Sequence, residues 1–190
     1  MNIVGLRMLR PQDVLVVCKL HALGKEGWTF VTLADSLGLS TGETHNAIAR
    51  CKRAGLVLYS KDELAVARRP LYDLIVSAVP RIFYVERGRL AFGIPTAQHA
   101  DPLRSRFKPE PGTCLVWAYE KEKLAESVKG ETIEPLYPSV PEIVRSSRDP
   151  ILYELLALID VVRVGDGNDR KKAKDILAKK IIEKSDEGGS

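Results

Sequence analysis

The sequence predicts an α+β protein in three parts: a helix-turn-helix with a β-hairpin, an irregular mixed segment, and a C-terminal helical hairpin. Three observations predict it. Residues 32–57 read as helix, glycine turn, helix. Eight of the eleven prolines fall between Pro95 and Pro150, where long helical periodicity is absent. Apolar residues then return at helical spacing after Asp149. The parts divide as 1–69, 70–148 and 149–184, with a polar tail at 185–190.

The first helix opens at Leu9–Asp13, with Pro11 suited to a first-turn position. Val14, Leu15, Val17, Cys18, Leu20 and Leu23 give it a face broad enough to lie inside the fold, and Gly24 and Gly27 end it. Trp28-Thr29-Phe30 reads as a short extended segment, with both aromatics as core anchors. Val31–Leu37 is the second helix, burying Leu33, Ala34 and Leu37, and Gly38 stands where a helix ends with positive φ. Ser40 N-caps the third helix and Glu43 completes a capping box. Ala47, Ile48 and Cys51 form its inner face, and Ala54-Gly55 closes it. The small Ala34 lets two helices joined by so short a turn cross steeply.

This run resembles the DNA-binding core of bacterial winged-helix regulators of the MarR, ArsR and IclR sort. Thr32-Leu33-Ala34, Leu37-Gly38-Leu39-Ser40, Ala47, Arg50 and Ala54-Gly55-Leu56-Val57 match the recurrent pattern of those proteins. Thr44 and Cys51 depart from it, each standing where an apolar residue is usual. The resemblance implies a winged helix-turn-helix domain that binds double-stranded DNA and regulates transcription by operator occupancy. The segments Leu9–Val16, Gly93–Ala97 and Leu152–Gly165 together also resemble an uncharacterised type of bacterial regulator.

If the helix 41–54 enters the major groove, Thr41, Glu43, His45, Asn46 and Arg50 are the candidates for base edges, with Ala49 for a thymine methyl. Asn46 matches adenine, and Arg50 matches guanine or a phosphate. Glu43 serves either as an acceptor from cytosine or as the cap. His45 is an exposed helix residue on either reading.

The runs Leu56–Tyr59 and Leu64–Ala67 flank Ser60–Glu63 and read as a β-hairpin where a wing belongs, with Lys61 at its tip. Arg68 and Arg69 follow as phosphate contacts or as a solvated basic turn. Pro70 starts a helix over Leu71–Val79, which Pro80 stops. Arg81–Tyr84, Leu90–Ile94 and Cys114–Tyr119 are expected strands, and Glu120–Val128 a short helix. Asp149-Pro150 caps a helix from Ile151 to Val164. Asp169 caps a second from Arg170 to about Lys184, making an αα-hairpin. The tail after it has nothing to bury.

Composition fits a globular protein, at 45% hydrophobic and 28% charged residues. The net charge of +4 lies wholly within residues 1–69; the remainder is balanced. That is a footprint adequate for a DNA-binding dimer. No apolar run reaches the ~20 residues of a membrane span, and the N-terminus lacks a signal-peptide pattern. Cys18, Cys51 and Cys114 are odd in number and far apart, so reduced thiols in the cytoplasm are expected.

An enzyme is not expected. His21, His45 and His99 share no metal-ligand spacing, and no nucleophile elbow, Walker loop or dinucleotide fingerprint occurs. Thr96 and His99 fall in one extended segment but form no recognised pair, and no cofactor or metal is expected. Expected partners are DNA, a second copy through the C-terminal hairpin, and a protein or small-molecule effector of residues 81–150. Packing of that hairpin on residues 71–79 is the alternative to dimerisation. A winged-helix docking module, or an antitoxin-like autorepressor binding a partner through 81–184, is the alternative function.

Overall fold

Pro11 begins α1 (Pro11–Leu23) because its fixed φ suits a helix start. The Asp13 carboxylate holds that start by accepting the Arg10 backbone N–H at 2.8 Å. The computed structural model describes residues 8–24, 27–60, 63–112, 114–119, 127–147 and 149–183. Every residue of α1 from Gln12 to His21 is buried, so it is an interior helix and not an amphipathic one.

Thr29 caps α2 (Phe30–Ser36), its hydroxyl accepting the Thr32 N–H. The helix therefore starts one residue earlier than expected, and Phe30 belongs to it. Phe30 and Trp28 are half-buried against the core, as anchors. Gly38 (φ 60°) turns the chain after α2. The loop ahead of a later helix closes over it, with Ser139 Oγ donating to the Leu37 carbonyl at 3.0 Å. Ala34 is 1% exposed where α2 meets α3 (Thr41–Arg53). A hairpin follows, β1 (Val57–Ser60) antiparallel to β2 (Glu63–Val66). Its tip, including Lys61, lies outside the described residues.

The next helix differs from expectation at both ends. It starts at Arg68 as α4 (Arg68–Asp73), so Arg68 and Arg69 occupy its first turn and not a basic turn after the hairpin. It passes through a π turn (Leu74–Ala78) into α5 (Val79–Ile82). Val79 N–H reaches the Leu74 carbonyl. That wider turn admits Pro80, which has no N–H to contribute, without stopping the helix. The strand expected at Arg81–Tyr84 is thus the end of a helix and an extended exit.

The middle segment builds a closed three-stranded sheet. β3 (Leu90–Pro95) pairs antiparallel with both β4 (Leu115–Ala118) and β5 (Val128–Thr132), and β4 pairs parallel with β5. Gly93 and Gly130 make the closure sterically feasible. A Cβ on Gly93 would lie 2.1 Å from the Trp117 carbonyl oxygen, and one on Gly130 2.4 Å from that of Cys114. The strand β5 was not expected. The helix expected at Glu120–Val128 lies mostly outside the described residues, and Val128 opens β5. A 3₁₀ turn (Ala97–His99) leads into α6 (Asp101–Phe107), and α7 (Val140–Ser147) follows the sheet.

Asp149 caps α8 (Pro150–Val164), accepting the N–H groups of Ile151 and Leu152. α9 (Gly167–Ile181) is capped by Asp166, with Asp169 as its third residue and not its cap. The tail 184–190 lies outside the described residues. α8 is buried on nearly every face, from Glu154 through Arg163, and packs against α1, α5, α6, α7 and α9. The apolar stripe that suggested dimerisation through this hairpin is therefore covered within the chain. No helix among the described residues is long and apolar enough to cross a membrane.

Candidate nucleic-acid interface

α3 is held from below by a buried ion pair. Arg50 Nε and a terminal guanidinium nitrogen donate to the two Asp13 carboxylate oxygens at 2.7 and 2.6 Å. Arg50 is 4% exposed and Asp13 0%. Hydrogen bonding to Asp13 raises the Arg50 pKa further above its ordinary value, against the opposing effect of burial. This corrects the expected role of Arg50. Its fork is filled by Asp13, so it cannot read guanine or hold phosphate; it fixes α3 on α1.

The neighbouring residues complete this floor. Thr44 is fully buried, and its hydroxyl donates to the Ser40 carbonyl at 3.1 Å, which satisfies a polar group where an apolar one is usual. The Cys51 thiol donates to the Asp13 carbonyl at 3.5 Å. Burial pushes the Cys18 and Cys51 thiols up to about 12, so both are protonated and poor nucleophiles. All three cysteines are free.

Above the floor lies the exposed face of α3. Thr41, Gly42, Glu43, His45, Asn46, Lys52 and Arg53 are exposed, and Ala49 is half-buried between them. Glu43 is engaged in the cap: its carboxylate accepts the Ser40 N–H at 3.0 Å and the Ser40 hydroxyl at 2.7 Å. Those Ser40 bonds lower its pKa and hold it as a carboxylate at the helix N-terminus. His45 stacks on Phe30 with centroids 3.8 Å apart and planes at 8°, which fixes the imidazole in orientation. Asn46 projects from the middle of the exposed row.

Lys52 was not among the candidates, although its position is informative. Its ammonium lies 4.5 Å from the Tyr59 ring centroid on β1, joining helix to hairpin. Among the described residues the hairpin exposes two large apolar side chains, Leu58 at 56% and Tyr59 at 51%. Arg69 pairs with Asp73 at 3.0 Å, and Arg68 is half-buried at the start of α4. The signal for Arg53 was present in helical phase. Asn46, Ala49 and Arg53 fall three and seven residues apart on one face, whereas Arg50, at the edge of that face, is drawn inward by Asp13.

Thr96 and His99 each make a buried hydrogen bond. Thr96 donates its hydroxyl to Asp160 at 2.8 Å, and His99 Nδ1 accepts the Leu115 N–H at 3.3 Å. Among the described residues no group of three or more His, Cys, Asp and Glu could hold a metal ion. No family model, curated protein or solved structure matches this chain.

Proposed function

We propose that this chain is a sequence-specific, non-enzymatic DNA-binding regulator. It uses α1–α3 and the β1–β2 hairpin as a winged helix-turn-helix and inserts α3 into the major groove. The observation that carries the reading is the exposed row on α3, with Asn46 at its centre, beside a hairpin and above a rigid Asp13–Arg50 floor. Asn46 supplies a bidentate partner for adenine, and Thr41 and the fixed His45 flank it. Lys52 and Arg53 supply positive charge at the far end of the helix, in the part of the chain that carries the net charge. Among the described residues, none of 81–150 covers Asn46 or His45, which are exposed.

A second reading rests on Leu58 and Tyr59. Two large apolar side chains more than half exposed on the hairpin suit a protein partner better than a phosphate backbone. On that reading the winged helix is a docking module.

One experiment separates them. Duplexes selected by the full-length protein from a random library are titrated by fluorescence anisotropy at two salt concentrations. The variants are Asn46→Ala, Lys52→Ala and Leu58→Ser. DNA reading by α3 requires a shared motif, with Asn46→Ala losing about 1–3 kcal/mol of discrimination at one position. Lys52→Ala then weakens all sequences alike and flattens the salt dependence. Selection that yields no motif, with binding indifferent to Asn46, leaves the docking module.

A further inference from the structure

Four helices meet around a cleft of about 740 Å³. Its floor is apolar: Ile151 and Leu155 stand one turn apart on α8, facing Ile176 of α9. Ile151 is 40% exposed there, although most of α8 is interior. Its rim is basic. Lys172, Ile176 and Lys180 recur every four residues along α9, Lys179 lies beside them, and Arg106 faces them from α6. His21, at the end of α1, closes the cleft through Nε2 at 3.2 Å from the Lys180 carbonyl oxygen.

The charges on this rim are not balanced. Glu154 bonds to Arg106 at 2.9 Å and to Lys180 at 2.6 Å. Lys172 donates to the Arg106 carbonyl oxygen at 2.6 Å and lies 5.3 Å from the Phe107 ring centroid, with the Asp169 carboxylate one turn back as its nearest opposite charge. Lys179 has no ion-pair partner among the described residues. Four cations thus stand against two carboxylates, Glu154 and Asp169, beside an apolar floor on which Ile151 and Ile176 are partly exposed.

Two costs coexist in that geometry: like charges held close together, and apolar surface left in water. An inorganic anion would relieve the first and leave the floor wet. A neutral apolar molecule would cover the floor and leave the repulsion. We propose that the cleft binds a small organic anion, a carboxylate or sulfonate on an aromatic or short aliphatic body. The volume is in the range of sites for such molecules, about 300–1,000 Å³. The inference rests on the cleft alone and stands apart from the DNA reading.

The test uses the full chain and 8-anilinonaphthalene-1-sulfonate as fluorescent probe, with octanoate, octanamide and sulfate as competitors. Saturable one-site binding is expected, displaced by octanoate and not by octanamide or sulfate. Lys179→Glu changes an exposed residue outside the core. Ile151→Asp places an acid in the first turn of α8, where the helix dipole favours it. Each should keep the wild-type urea midpoint and weaken the probe by about fivefold or more. Leu58→Ser, in the exposed hairpin patch, should leave it unchanged. The proposal is overturned by any of three results: no saturable binding, equal competition by octanamide, or unchanged affinity in both cleft variants.

Discussion

Two buried aspartates organise the two ends of this molecule, and they differ in what they join. Asp13 meets one side-chain partner, Arg50, and through it ties two helices that local sequence signals already specify. Asp160, on α8, collects donors from three places. Thr96 Oγ and Trp117 Nε1 reach one carboxylate oxygen at 2.8 and 2.7 Å, and Arg163 reaches the other at 2.7 Å. Arg163 in turn donates to the carbonyls of Phe83 and Glu134 at 2.8 and 3.0 Å. The first pair is a brace between formed elements. The second is the assembly point for the end of α5, the end of β3, β4, and the chain after β5. Burying a charge is unfavourable unless its partners are complete, so each site tolerates incompleteness poorly, but the second has more to lose.

Asp160→Ala is accordingly expected to have the largest effect. Breaking a buried pair costs about 3–5 kcal/mol, and each donor left without an acceptor adds about 1–3 kcal/mol. With Thr96 and Trp117 both orphaned, the total approaches the ~5–15 kcal/mol that holds a typical domain folded. Urea unfolding followed by Trp fluorescence should show no cooperative transition. A transition close to wild type would mean that Asp160 is not the hub described. Arg50→Ala comes next, at about 3–5 kcal/mol for leaving the Asp13 carboxylate buried and unpaired. A stability loss below ~1 kcal/mol there would return Arg50 to the surface and to the DNA-reading candidates.

A smaller effect tests the sheet that Asp160 holds. Gly93→Ala drives a Cβ into the Trp117 carbonyl oxygen, a backbone atom that cannot rotate aside. Overpacking of this kind costs about 1–3 kcal/mol. Gly130→Ala should behave alike, because its Cβ would meet the Cys114 carbonyl in the same way. Ala at Gly42, which has open space around it, should leave the denaturation midpoint nearly unmoved. If all three variants matched wild type, the strands could not be as close as the closed sheet requires.

These two regions also mark where the sequence was legible. The turn at Gly38, the Ser40–Glu43 box and the Asp149 cap are written in residues a few positions apart and were found where expected, and the hairpin strands came within one residue. The burial of Arg50 was not legible, because its partner is 37 positions away. A helical projection alone places Arg50 near the edge of the outer face, and only Asp13 pulls it in. The sheet was half legible. β3 and β4 carry apolar runs, but β5 reads Val-Lys-Gly-Glu-Thr and is recruited by pairing. The π turn escaped because Pro80 normally ends a helix, and its accommodation depends on neighbouring turns. On α3, the exposure of Thr41, His45 and Asn46 was legible because on a capped helix it follows from phase. Lys52 was missed because its place is set by Tyr59 on the hairpin.

A further predicted effect joins the two halves and depends on pH. Lys19 of α1 donates to Asp149 at 2.8 Å, linking the N-terminal helices to the cap of α8. Burial pushes the Asp149 carboxyl up, but the Leu152 N–H, Lys19 and the Ile151 N–H outweigh it and leave the pKa lowered. A lowered folded pKa contributes stability that is present above the unfolded value of ~3.9 and is lost as pH falls through the folded one. Asp160 has the opposite sign. Burial leaves its pKa raised despite Arg163, Thr96 and Trp117, so its unfavourable contribution grows as pH rises from ~3.9 through the folded value. The two windows lie on either side of the unfolded pKa and can be read separately. Asp149→Asn retains an N-cap acceptor and removes the charge. It should cost about 1–3 kcal/mol at neutral pH, the value of a charged hydrogen bond. It should also flatten the fall of the urea midpoint below about pH 4, while the slope between pH 4 and 7 stays that of wild type. An unchanged acid limb would place the acid sensitivity elsewhere and reduce the Lys19–Asp149 bridge to a geometric contact.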